Sequence, residues 1–194
     1  MFTVSEIAGN CRQADKQPTY PIDGLFPFRI YILENLPLRN ALIYERGKRL
    51  NIMFCDPDDY VEPTWCEKLF DAIESSGGFF ACCGYNSVRL SGEIRKAKFI
   101  QEERPKSAET LVELYKIGAL PAVWCKIFSS RIVQMNHIRY DEKVSIAEDA
   151  LFILCYLRTN ADDIGVVPEF LYNYVNDRPQ SLTKKIIPNH WALA

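Results

Sequence analysis

Apolar residues along this chain switch between two periods, and the switches predict alternating strands and helices. The short, wholly apolar run at residues 50–55 (LNIMFC) indicates a buried strand. After it, apolar residues recur at helical spacing from Trp65 to Ile73, and Gly77 stands beyond the expected helix end. A second apolar run at residues 79–83 (FFACC) completes a βαβ unit, which implies parallel strands at this point.

The rest of the chain is predicted to extend the same sheet. Further strands are predicted at residues 28–33, 123–128, 166–167 and 170–175, a hairpin over 88–100, and helices at 5–13, 37–46, 107–118, 129–135 and 147–157. No repeat or linker divides them. We therefore expect a single domain over residues 1–194, with a poorly patterned segment at 1–25 and a tail at 184–194. The fold class is α/β, with a mixed, mostly parallel sheet flanked by helices.

Composition and charge narrow the functional classes. A hydrophobic fraction of 48% and a charged fraction of 25% are ordinary for a soluble globular protein. The net charge of -2 argues against a dedicated nucleic-acid binder. The seven cysteines lie mostly in apolar runs without CxxC spacing, which favours reduced, buried thiols in a cytoplasmic protein over a zinc site. No apolar run reaches membrane-spanning length, so any membrane contact is expected to be peripheral.

Three aspartates follow the buried strand within four positions: Asp56, Asp58 and Asp59. Carboxylates this close repel one another, and a hard divalent cation such as Mg²⁺ or Mn²⁺ relieves the repulsion. The carboxyl end of a strand in an open α/β sheet is also where ligands bind. The same residues equally suit a solvated turn, because Asp and Pro are turn formers and helix N-termini favour acidic side chains.

A second acidic element, Glu148-Asp149, stands at the start of the helix predicted at residues 147–157. One interpretation is an ordinary acidic helix N-terminus. The other is a carboxylate base, kept ionised by the helix dipole and a nearby cation.

In their order along residues 37–183, these elements resemble the family-two glycosyltransferases of bacterial polysaccharide synthesis, which have a GT-A type, Rossmann-related fold. The matching segments are Arg39-Asn40, residues 52–63 around Asp-Pro-Asp-Asp, Trp124-Cys125-Lys126, residues 138–142 with Glu148-Asp149 and Leu151-Phe152, and finally residues 171–174 (LYNY) and 181–183 (SLT). The joint order of the segments carries the resemblance more than any one motif.

The resemblance implies transfer of a sugar from a nucleotide donor, expected to be a UDP-sugar, to a saccharide or lipid-linked acceptor, with inversion. Asp56, Arg39 and Asn40 would bind the donor. Asp58 and Asp59 would hold Mg²⁺ or Mn²⁺, which neutralises the departing diphosphate.

On the acceptor side, the resemblance makes Asp149 the general base, with Glu148 beside it. Trp124 would offer an apolar face to a sugar, and Lys126 would donate a hydrogen bond to it. For Trp124, a core aromatic is an equally good interpretation.

Two family segments that cradle the nucleotide base are not found before the helix predicted at residues 5–13, so the domain is expected to be shortened at its N-terminus. Val175 also stands where the family often has Arg. These departures leave open a non-catalytic binding or assembly protein that has lost nucleotide recognition. A nucleotidyltransferase is a third possibility, but the Gly77-Gly78 pair at a helix end is not a phosphate loop.

Overall fold

The computed structural model describes residues 2–3, 28–32, 41–46, 49–56, 58–77, 79–96, 107–141, 144, 147–159 and 164–176. Over these ranges the chain forms one nine-stranded sheet and four helices. The strands are β1 (Phe2–Thr3), β2 (Phe28–Ile32), β3 (Ala41–Arg46), β4 (Arg49–Phe54), β5 (Tyr60–Val61), β6 (Phe80–Arg89), β7 (Ile94–Lys96), β8 (Lys126–Ser129) and β9 (Ile164–Asn176). The helices are α1 (Trp65–Ser75), α2 (Ser107–Lys116), α3 (Ser130–Met135) and α4 (Glu148–Leu157).

The strand order is β1-β5-β9-β6-β8-β4-β3-β2, and β7 pairs with β6. The predicted mixed α/β sheet is confirmed. The expectation of mostly parallel strands is wrong, because among the described strands the only parallel pairing joins β6 to β9. β4 and β6 do run in the same direction on either side of α1 in the sequence. However, β8 arrives later in the chain, inserts between them and pairs antiparallel with both.

The structure revises several predicted elements: β6 extends to Arg89, well beyond the run predicted at residues 79–83, and β8 begins at Lys126 instead of residue 123. Residues 41–46, predicted as part of a helix, form β3, because they pair antiparallel with both β2 and β4 and so complete a meander. The two short strands predicted around Pro168 are one strand, β9. Pro168 is tolerated because the pairing with β6 shifts register there, from Cys83 opposite Val167 to Gly84 opposite Phe170. A bulge places the proline where no ladder hydrogen bond is needed.

The helices pack on the sheet through the faces that their spacing defines. α1 buries its apolar face from Trp65 to Ile73, as predicted. α4 buries Phe152 and Tyr156, which are four residues apart and therefore on one face. Leu151, predicted on that face, is instead 39% exposed, since the buried face extends from Phe152 toward Ile153, and Leu151 is turned about 100° the other way.

Cysteines supply small apolar side chains to this core. Cys55, Cys82, Cys83 and Cys125 are buried, as predicted. Burial raises the pKa of the Cys82 thiol to about 12, so it stays protonated at neutral pH.

Some predictions fall outside the described residues: the helix at 5–13, Arg39 and Asn40, and the chain beyond residue 176. In the part that is described, no helix combines the length and apolarity needed to cross a bilayer. The cytoplasmic location and peripheral membrane contact stay predictions.

Gly165 allows β9 to pass directly beneath α1. A Cβ at this position would lie 2.5 Å from the carbonyl oxygen of Ala72 and 2.9 Å from the Cβ of Ala81. We expect Gly165→Ala to lower the free energy of unfolding by about 1–3 kcal/mol, because the helix must move away from the sheet. Urea denaturation measures this. Ser91→Ala, at an exposed turn, is the control and should change stability by less than about 0.5 kcal/mol.

Candidate functional site

The acidic loop after β4 places its three carboxylates in different environments. Asp56 is half-buried, Asp58 is exposed and Asp59 is 3% exposed. The amide of Asp59 donates to the carbonyl oxygen of Asp56 at 3.1 Å, which closes a tight turn. The sequence alone did not distinguish the three, because turn residues of one type in a row carry no periodicity.

The carboxylate of Asp59 ties the loop to β9. Its Oδ2 accepts a hydrogen bond from the Tyr172 hydroxyl at 2.7 Å, and its Oδ1 accepts one from the amide of Val175 at 2.8 Å. The Tyr172 oxygen in turn accepts from the amide of Asp56 at 3.1 Å. Burial raises the pKa of Asp59 to about 7, although both hydrogen bonds act to lower it. Both oxygens of Asp59 therefore have protein partners, and its predicted role as a metal ligand is untested.

Asp149 lies half-buried in the first turn of α4, with Glu148 half-buried beside it. The Tyr140 hydroxyl donates to Asp149 Oδ1 at 2.8 Å. Burial, with the charges of Glu148 and Asp56, raises the pKa of Asp149 to about 6, while the Tyr140 hydrogen bond lowers it. Ala147, the N-cap residue before α4, has the left-handed backbone angle φ of 61°. Such a conformation is costly for a residue with a Cβ and is often found at functional sites.

The acidic loop lies near the start of α4, because Phe54 at the end of β4 packs against Tyr140 and Phe152. The negative charge of Asp56 acts on Asp149 and on Tyr140, raising the pKa of both. An aromatic cluster fixes this arrangement: Phe54, the last residue of β4, packs edge-on against Tyr140 at 6.0 Å and against Phe152 at 5.5 Å. Asp56 and Asp149, 93 residues apart in the sequence, are thus brought near each other by packing.

Trp124 is the centre of a second aromatic cluster. It stacks on Tyr172 at 4.7 Å and on Tyr174 at 5.4 Å, and Tyr85 meets it edge-on at 4.8 Å. Trp124 is half-buried, so both a core role and a partly accessible sugar-facing role suit its position. Its predicted contact with an acceptor stays a prediction.

Lys126 is fully buried. Its ammonium donates to the carbonyl oxygens of Ala119 and Ala122 and contacts the Cys125 sulfur at 3.4 Å. The structure therefore gives this side chain backbone partners within the protein, in the loop that leads to Trp124. The predicted hydrogen bond from Lys126 to an acceptor is untested, and the ammonium has no exposed surface from which to make it.

Two tyrosines were missed as site residues by sequence reasoning. Tyr140 and Tyr172 were each recognised as part of a family-like segment, but neither was given a role. Their partners, Asp149 and Asp59, lie 9 and 113 residues away, respectively. Only the fold shows these pairings, because a tyrosine in an apolar context is otherwise indistinguishable from a core aromatic.

Among the residues that the structure describes, no three His, Cys, Asp or Glu side chains converge as a ready metal cluster. Mg²⁺ is often held by only one or two carboxylates together with substrate phosphates and water. Asp58 and Asp56 would suffice as protein ligands of that kind. The donor set is therefore compatible with a cation that arrives with a diphosphate.

Comparison with known proteins finds similar proteins both by sequence and by structure. No family model matches the sequence. The chain is 25% identical over 137 residues to "Uncharacterized glycosyltransferase EpsJ" of Bacillus subtilis (strain 168), covering 69% of this chain and 39% of EpsJ.

Solved structures of S. aureus TarS residues 1–349 share the fold. The complex with UDP-GlcNAc has a TM-score of 0.54 at 19% identity, covering 71% of this chain and 38% of that one. The complex with UDP has a TM-score of 0.51 at 22% identity, covering 66% and 36%. The predicted GT-A type fold and the resemblance to glycosyltransferases are confirmed. The chain spans about two fifths of the length of these relatives.

Proposed function

We propose that this chain, which resembles glycosyltransferases and has their GT-A type fold, transfers a sugar from a nucleoside diphosphate donor to an acceptor hydroxyl. One observation carries the proposal: Phe54, the residue that leads into the acidic loop, packs against Tyr140, whose hydroxyl binds the half-buried carboxylate of Asp149. A donor diphosphate and an acceptor hydroxyl need these two kinds of group on opposite sides of one reacting carbon.

Asp58 and Asp56 are proposed to hold Mg²⁺ or Mn²⁺ together with the donor diphosphate. The cation would supply positive charge to the leaving diphosphate when bound. Asp59 is proposed to act indirectly, since its carboxylate holds the loop against β9 through Tyr172 and Val175. Arg39 and Asn40 remain proposed donor contacts from the resemblance alone.

Asp149 is proposed as the general base. Its carboxylate takes the proton of an acceptor hydroxyl while that oxygen forms a bond to the anomeric carbon and the bond from that carbon to the diphosphate oxygen breaks. A single displacement of this kind inverts the anomeric configuration. The Tyr140 hydroxyl holds one carboxylate oxygen, which orients the group and lowers its pKa. The negative charge of the neighbouring Glu148 raises the pKa of Asp149.

The donor is proposed to be a uridine diphosphate sugar, which is supported by the TarS structures with UDP-GlcNAc and UDP. A saccharide or lipid-linked acceptor and a role in polysaccharide synthesis follow from the resemblance in sequence. Trp124 is proposed to present the edge of its stacked ring to the acceptor, and Lys126 to hold the loop that carries Trp124.

Replacing Asp58 by alanine should abolish the metal-dependent part of UDP binding. Asp58 is exposed at the tip of the acidic loop, so the change removes a carboxylate with little effect on the fold. Calorimetric titration of UDP with and without Mn²⁺ measures the binding, and we expect at least about a tenfold loss, or about 1.4 kcal/mol. Asp71→Ala, an exposed aspartate of α1, is the matched control. Equal metal-dependent affinity in Asp58→Ala and wild type would rule out this ligand assignment.

A further inference from the structure

The Tyr172 hydroxyl joins the two ends of the acidic loop, Asp56 and Asp59. It accepts a hydrogen bond from the amide of Asp56 at 3.1 Å and donates one to Asp59 Oδ2 at 2.7 Å. The loop also closes on itself, since the Asp59 amide donates to the Asp56 carbonyl oxygen at 3.1 Å. Asp58 lies within this closed turn, so a single oxygen atom on β9 constrains the stretch of backbone that carries all three aspartates.

Packing leaves that hydroxyl little freedom. The Tyr172 side chain is fully buried. Its ring stacks on Trp124 at 4.7 Å and meets Trp65 at 6.0 Å, with 58° between the ring planes. Its backbone pairs with Val61 of β5, the strand that follows the loop directly. Because side chains in a close-packed interior have few alternative rotamers, the position of the acidic loop is set by the core.

A loop that holds a cation needs such a restraint. The carboxylates of Asp56 and Asp58 repel each other until a cation binds, and an unrestrained loop would let them separate. Holding them in the binding geometry beforehand removes the cost of ordering the loop when the cation and the diphosphate arrive. We infer that Tyr172 is the positioning residue of the proposed cation site and acts through the loop backbone, without itself contacting the cation or the donor. This role rests on the proposed function, because it requires Asp56 and Asp58 to hold the cation.

Tyr156 offers a matched control. Like Tyr172 it is fully buried, and its hydroxyl accepts from the Ser129 amide at 2.9 Å and donates to the Phe79 carbonyl oxygen. Tyr172→Phe and Tyr156→Phe therefore each remove one hydroxyl that makes two hydrogen bonds, and each keeps its ring. The Tyr172 hydroxyl contacts the acidic loop, whereas the Tyr156 hydroxyl joins β8 to the residue before β6. A loss of binding confined to Tyr172→Phe therefore cannot arise from lower stability alone.

Calorimetric titration of UDP with and without Mn²⁺ measures the effect. We expect Tyr172→Phe to weaken the Mn²⁺-dependent affinity by about fivefold to twentyfold, while its metal-free affinity stays within about twofold of wild type. Tyr156→Phe should match wild type in both. Metal-dependent binding that Tyr172→Phe retains at wild-type strength, or that Tyr156→Phe loses equally, would overturn the positioning role alone. Absence of metal-dependent UDP binding in wild type would overturn the proposed function and this role with it.

Amide hydrogen exchange in the wild-type protein gives a measurement that needs no variant. The Asp56 amide donates to Tyr172, so it should exchange at least about tenfold more slowly than in the unfolded chain. In Tyr172→Phe the same amide should exchange at least about tenfold faster than in wild type, with no such change in Tyr156→Phe. Exchange of the wild-type Asp56 amide at the unfolded-chain rate would mean that Tyr172 does not hold the loop, and would overturn the role even where Tyr172→Phe does not fold.

Discussion

Asp149→Asn should lower kcat by about 10²- to 10⁴-fold and leave the KM for the donor nearly unchanged, because the variant loses a general base but no donor contact. Asparagine has nearly the same shape, and its amide oxygen still accepts from the Tyr140 hydroxyl. The measurement is UDP release from UDP-N-acetylglucosamine with Mn²⁺ and a mixture of saccharide acceptors. Wild-type kcat in the asparagine variant would remove Asp149 from the mechanism.

The pH dependence of the wild-type rate tests the same assignment. A base acts only when it is ionised, so kcat/KM should rise with pH through the pKa of Asp149, which burial raises to about 6. Tyr140→Phe keeps the ring that stacks on Phe152 at 5.0 Å but removes the hydrogen bond that lowers this pKa. The rising limb should therefore move to higher pH.

Glu148→Gln provides the opposite change. The charge of Glu148 raises the pKa of its neighbour, so neutralising it should move the limb to lower pH. If either residue only maintained the fold, its replacement would lower kcat/KM without shifting the pH at which kcat/KM rises. Opposite displacements in Tyr140→Phe and Glu148→Gln are the expected result, and a limb that stays fixed in both would assign the titration to another group.

The sequence predicted the elements that carry the chemistry better than the sheet that joins them. β4, α1 and α4 have strong apolar periodicity, and each was predicted within one or two residues. The position of β8 between β4 and β6 depends on pairings between residues about 75 apart, such as Ile52 with Phe128. Hydrophobic periodicity reports only on residues that are close in the sequence. It therefore predicted that β4 and β6 are adjacent parallel strands, whereas the antiparallel β8 lies between them.

In the candidate site, too, the local patterns were predictable and the contacts between distant residues were not. The positions of the acidic groups were predictable, because a buried strand that ends in aspartates and a helix that begins with Glu148-Asp149 are local patterns. The different environments of Asp56, Asp58 and Asp59 were not, since β9 supplies the partners of Asp59 from more than 110 residues away. The burial of Lys126 was not predictable for a related reason: a lysine is normally exposed, and only the fold shows its ammonium enclosed by backbone carbonyls.

The buried carboxylate of Asp59 should make the protein less stable as the pH rises from about 4 to above 7. Its pKa is about 7 in the folded chain, against an ordinary 3.8. The folded state therefore holds the proton more tightly than the unfolded state, and the resulting stabilisation is complete below the unfolded pKa and is lost as pH passes through the folded one. At about 1.4 kcal/mol per pKa unit, Asp59 alone accounts for about 4 kcal/mol.

Asp59→Asn removes this titration and should flatten the dependence of the unfolding free energy on pH by about that amount. Urea denaturation at several pH values between 4 and 8, in EDTA, measures the difference between the two proteins. The comparison is needed because Asp149, whose pKa is also raised, adds a slope of the same sign to both proteins.

Tyr172→Phe is the matched variant: it removes a hydrogen bond that lowers the pKa of Asp59, so the loss of stability should extend to higher pH. An unchanged slope in Asp59→Asn would mean that Asp59 is ionised throughout, as expected if it faced solvent or a cation instead of β9.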